Sequence, residues 1–208
     1  MNSFRFLFLL AVAFGLTACQ TQNGSVERST DSAATTGHEG MDHSAMGHQM
    51  AGSSSYSDVR FLDRMTAHHQ MAVEMAQMAP RQGAGAEVLR MAEEVVRSQQ
   101  AEIDSMRIWR ARWFPDEPAP GPMSADEMAA MGMGMDMAAL GAARGAAFDR
   151  LFQEQMIPHH AGAITMAAEA HMNTERAEVR RLARDIIGAQ AREIGEMQAR
   201  LEAMPSEQ

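Results

Sequence analysis

The chain has 208 residues, with 18 Lys plus Arg against 27 Asp plus Glu and a formal charge of −9. So acidic a surface is a poor partner for nucleic acid. Every basic residue is arginine, which excludes Schiff-base and P-loop lysine chemistry, and Cys19 is the single cysteine, which excludes an intramolecular disulfide.

At the amino terminus, Arg5 precedes the apolar run FLFLLAVAFGL. That run is too short to span a bilayer as a stop-transfer helix and reads as the core of an export signal over residues 1–18. Leu16-Thr17-Ala18-Cys19 resembles a bacterial lipobox, which predicts cleavage before Cys19 and a lipid on its thiol. An ordinary signal peptide cut after a small residue is the alternative. The expected location is therefore the periplasmic or cell-surface side of the membrane, with a lipid anchor. Residues 19–56 are rich in Ser, Thr, Gly and His with almost no large aliphatics, and they read as a flexible tether that cannot offset chain entropy by burial.

From Ser57 onward the pattern is helical, and a bundle is expected over residues 57–204. The first helix starts at Ser57-Asp58, a capping residue and an acidic first turn, and stops before Pro80. The second follows PRQGAGA, runs from about Glu87 to Trp113 and ends at Pro115. A Met-rich connection fills residues 114–144. The third helix runs from about Gly145 to His171, with Pro158 expected to remove a hydrogen bond and kink it. The fourth runs from Thr174 to Ala203, stopped by Pro205.

The two hairpins are copies, 58–113 and 149–203, that align without a gap at an offset of 91. FLDRMTAHHQMAVEMA in the first becomes FQEQMIPHHAGAITMA in the second, with Met65 on Met156, His68 on His159 and His69 on His160. In the second helices Gln99 falls on Gln190, Glu102 on Glu193 and Met106 on Met197. The matched positions step by four and three along single helical stripes, which marks them as packing faces. Two such antiparallel hairpins make an all-α four-helix bundle.

These stripes are not uniformly apolar. Folding the first helix back about Gly83 sets His68 level with Gln99 and Met65 level with Glu102. One end of each hairpin then collects Met, two His, Gln and Glu, while Ala72, Ala76 and Ala79 fill the other end. A buried hydrogen-bond network, His to Gln or Glu across the hairpin, is one account of this layer. Metal ligation is the other, because imidazole with thioether suits a soft ion, copper and especially Cu(I), and a Glu or Gln opposite can orient the ring through its second nitrogen.

Two further segments carry soft ligands. The tether alternates His38, Met41, His43, Met46 and His48, and the connection holds Met128, Met131, Met133 and Met135 in a glycine-punctuated run. That run cannot form a helical stripe, and methionine supplies soft ligation outside the cytoplasm without the disulfide hazard of cysteine. Both segments are expected to capture metal locally and to be removable without loss of the fold.

The doubled D-x-x-F-x-x-x-M-x-x-H-H-x-x-A-x-x-M-A phrase followed by Q-x-x-E-I-x-x-M, over residues 58–109 and 149–201, resembles the CopM-like family of exported bacterial proteins. The resemblance implies a ferritin-like four-helix fold and copper binding through Met and His, in copper sequestration, resistance or trafficking. By that motif the ligands are Met65, His68, His69 and Met75 with their copies Met156, His159, His160 and Met166. It also implies metal ions and a copper-handling protein as partners.

A di-iron oxidase would need Glu-x-x-His pairs, which are absent from the sequence, and more than one inward carboxylate per hairpin. A binding protein is therefore expected rather than an enzyme. A structural or interaction module with hydrogen-bonded core histidines stays open beside it.

Overall fold

In the computed structural model the described residues are 56–205, and among them there is no strand. Six helices follow in order: α1 Asp58–Ala76, α2 Ala86–Trp113, α3 Ala125–Ala130, α4 Met137–Ala142, α5 Gly145–Asn173 and α6 Ala177–Ala203. The long four are the expected ones. None of the described helices is long and apolar enough to cross a membrane.

Each hairpin begins and turns for local reasons. The Ser57 side chain accepts from the Arg60 amide at the start of α1, with Asp58 in the first turn. After α1 a 3-10 turn, Ala79–Gln82, ends at Gly83, whose φ of 68° is a left-handed conformation that glycine adopts without strain. The Asp149 carboxylate, from α5, accepts from the Gly85 amide at 3.0 Å and so satisfies the amino end of α2 from the other hairpin.

Helix α1 packs on α2, α5 packs on α6, and the hairpins meet along α1 and α5. Two links show that α1 and α5 run antiparallel: Asp149 near the start of α5 reaches Gly85, and Arg176 beyond its end pairs with Asp58 at 3.3 Å. Helices α2 and α5 therefore run the same way, so the connection must traverse the length of the bundle. Arg110 fastens its first residues, pairing with Asp63 at 3.0 Å and donating to the carbonyls of Phe114 and Glu117.

Two apolar clusters fill the interior. One holds Phe61, Leu62, Met65, Ile103 and Met106 with Ala163, Ala167 and Ile186. The other holds Ala72, Met75, Val88, Phe148, Phe152, Met156 and Met197. The histidines lie midway along α1 and α5. The polar layer thus sits at the waist of the bundle between two apolar halves, not at one end of each hairpin as the repeat alone predicts. Antiparallel docking of α1 on α5 is what brings the two copies together.

The connection also departs from expectation. Met133 and Leu140 are buried, and Met135 and Met137 pack on the Phe148 cluster. Between α3 and α4 the chain is non-helical, so alternate residues face the bundle: Met133 is buried while Gly134 and Asp136 are exposed. The reading of this segment as removable is corrected, because it contributes side chains to the core. Pro158 does not break α5, which is helical from Gly145 to Asn173.

Candidate metal centre

His68 and His159 meet at the contact of the two hairpins, with ring centroids 3.7 Å apart and planes inclined by 34°. His69 and His160 flank them at centroid distances of 6.2 and 6.1 Å. All four side chains are fully buried.

One nitrogen of each ring is committed to an oxygen. His69 Nε2 donates to Glu102 Oε2 at 2.8 Å and His160 Nε2 to Glu193 Oε2 at 2.7 Å, the cross-hairpin pairing that the repeat predicts. His159 Nε2 donates to the His68 carbonyl at 3.1 Å, and His68 Nε2 to the Met131 carbonyl at 2.9 Å. A carbonyl oxygen can only accept, so both of these nitrogens carry the proton. Burial, reinforced by the charge of His69, lowers the His68 pKa to about 3. Burial, reinforced by His68, lowers that of His159 well below 6.5. Both rings are therefore neutral at pH 7, with a bare lone pair on Nδ1.

The Nδ1 atoms of all four histidines are buried without a hydrogen-bond partner. The amide groups of Gln99 and Gln190, 2% exposed, are likewise unpartnered. The glutamines share the layer but do not orient the imidazoles; the glutamates and backbone carbonyls do. A buried polar atom left unpaired costs about 1–3 kcal/mol, so this layer holds a concentration of unmet polar demand.

The remaining predicted residues divide by position. Met65 precedes His68 and His69 by three and four residues, and Met156 stands in the same relation to His159 and His160, so each shares a helical face with its pair. Both are fully buried. Met75 lies in the Phe148 cluster and Met166 packs on the Phe61 cluster. Each is six residues past its histidine pair, about 9 Å along the axis. Met131 comes to the layer through its carbonyl, Met133 is buried beside it in sequence, and Met128 and Met135 are half-buried. Cys19, His38, Met41, His43, Met46 and His48 lie outside the described residues. The Met131 carbonyl and the glycines that seat it were not singled out from sequence, because a backbone contact across a long connection leaves no periodic signal.

Among the described residues no three His, Cys, Asp or Glu side chains are placed to share an ion. Glu102 and Glu193 are already engaged by imidazole N–H groups. A histidine site in this layer would draw on thioethers.

The Glu–His bonds have a measurable worth. Glu193→Leu and Glu102→Leu each leave a buried Nε2–H without an acceptor, and each is expected to destabilise the metal-free protein by about 1–3 kcal/mol. The Glu193 variant should lie at the upper end, its side chain being 11% exposed against 21% for Glu102. Urea midpoints check this, and equal midpoints for both variants and the unsubstituted protein would contradict it.

The family described as Domain of unknown function (DUF305) matches residues 58–201. The chain belongs to the DUF305 family. Among solved structures, CopM in its Cu(II)-bound form is 38% identical over 72% of this chain and 98% of that chain, with a TM-score of 0.63. CopM in its Cu(I)-bound form is 37% identical over 71% and 97%, with a TM-score of 0.61. CopM has also been solved with silver bound. A DUF305 fragment from Deinococcus radiodurans is 29% identical over 71% of this chain and 96% of that one, with a TM-score of 0.63. Among curated proteins no match is found. These structural likenesses agree with the all-α fold of the described residues.

Proposed function

We propose that this DUF305 protein binds copper, preferring Cu(I), and that it does so outside the cytoplasm to sequester the metal or hand it to a partner protein. The observation that carries the reading is the set of four buried imidazoles whose Nε2 atoms are held by oxygens while their Nδ1 atoms have no partner. A purely structural hydrogen-bond layer would use both nitrogens; a ligand histidine uses one for orientation and keeps the other for the ion. The neutral rings of His68 and His159 suit metal binding, since a protonated imidazole must first lose its proton. Met65 and Met156 supply soft donors on the same helical faces, which favours copper over iron or magnesium. The relatives solved with Cu(I), Cu(II) and silver support the same class of ion.

Binding rather than catalysis is the role proposed. In that reading the tether and the lipid on Cys19 hold the acidic bundle near a membrane surface. The test is to purify the protein from membranes of its native host with no added metal. Copper bound to the protein, and its release from the membrane fraction or failure to mature on Cys19→Ala, are the expected results. Metal-free protein, or unchanged fractionation with no lipid on the mature amino terminus, would contradict the corresponding half of the proposal.

A further inference from the structure

Duplication predicts a symmetric centre, and the centre is not symmetric. His159 Nε2 donates to the carbonyl of His68, so an obedient twofold would have His68 Nε2 donate to the carbonyl of His159. Its strong acceptor is instead the Met131 carbonyl, at 2.9 Å, and the His159 carbonyl is only a weaker partner. Met131 belongs to the connection, the part of the bundle domain that has no copy.

The crossing is held by backbone against backbone. Gly132 has a φ of +69°, and a Cβ there would stand 2.1 Å from the Pro158 carbonyl oxygen. A Cβ on Gly162 would stand 1.8 Å from the Met131 carbonyl oxygen. Any side chain at either position displaces the connection, because real Cβ atoms do not approach so closely. At the repeat offset, Gly162 corresponds to Met71 and Pro158 to Ala67. The second copy differs from the first at both of these positions, while its histidine pair is kept.

Resting on the reading of the imidazoles as ligands, we infer that the Met131 carbonyl, seated by Gly132 and Gly162, is the positioning group for His68. It fixes that ring as the Nε2–H tautomer and leaves Nδ1 free for the ion. His159 is positioned by α1 itself. The two histidine copies are therefore inequivalent, the first governed by the connection and the second by the packing of the hairpins. Displacing the connection leaves the His68 ring with only its weaker backbone partner at His159, and the acceptor of His159 is unchanged.

The test uses metal-free, isotope-labelled protein and reads imidazole tautomers from nitrogen NMR. In the unsubstituted protein His68 should be the Nε2–H tautomer, with a through-hydrogen-bond coupling to the Met131 carbonyl carbon. In Gly162→Ala, His68 should become a tautomer mixture while His159 stays Nε2–H, and Cu(I) competition should show one of two sites weakened more than tenfold. An absent coupling in the unsubstituted protein overturns the inference, and so does an unchanged His68 tautomer in a folded Gly162→Ala. If Gly162→Ala does not fold, the coupling in the unsubstituted protein decides. Failure to bind copper at all would sink the ligand reading but leave the tautomer result standing. Equal weakening of both copper sites would overturn this inference alone.

Discussion

Replacing residues 123–137 by an equal length of glycine and serine should destabilise the metal-free protein by roughly 2.5–6 kcal/mol. The estimate combines the lost burial of Met133, about 1.5–3 kcal/mol, with the cost at His68 Nε2 of a flexible linker that no longer holds the residue-131 carbonyl against it, about 1–3 kcal/mol. Equal length matters. The connection runs the length of a helix of 28 residues, about 40 Å, and an outright deletion would draw the remaining chain taut. Urea unfolding followed by circular dichroism measures the change. An unaltered midpoint would mean that the connection lies on the bundle without holding it.

Mild acid should unfold the protein through the same layer. In the folded state His68 and His159 stay neutral well below 6.5, whereas in the unfolded chain they take up protons near that value. Their folded pKa values are depressed, so the unfolded state binds more protons as the pH falls, and stability is lost from 6.5 downward towards about 3. Each histidine should contribute roughly 1 kcal/mol of destabilisation per pH unit in that window. Midpoints measured between pH 7 and pH 5 avoid most carboxylate titration. His68→Leu with His159→Leu should flatten the dependence. A double variant as acid-sensitive as the unsubstituted protein would place the sensitivity elsewhere.

The four long helices were legible in the sequence because they rest on local rules, and the cross-hairpin partners were legible only as a choice between Gln and Glu. Helical stripes show as steps of three and four, turns show as Pro and Gly, and a gapless repeat sets one hairpin's register on the other. The Glu102–His69 and Glu193–His160 bonds follow from that register. How the hairpins dock was not legible. Nothing periodic states that His68 meets His159, since that contact depends on α1 and α5 lying antiparallel at their midpoints. The connection was misread for a related reason. Its M-G-M-G-M run has no helical periodicity and reads as loose, yet in a non-helical segment alternate residues face one way, and Met133 faces inward.

The most direct measurement of the central claim is a copper-edge anomalous difference map from crystals of the protein loaded anaerobically with Cu(I). The account predicts peaks in bonding contact with Nδ1 of histidines in the waist layer, with a methionine sulfur completing each site. Copper confined to thioethers elsewhere, with the four Nδ1 atoms free of metal, would contradict it.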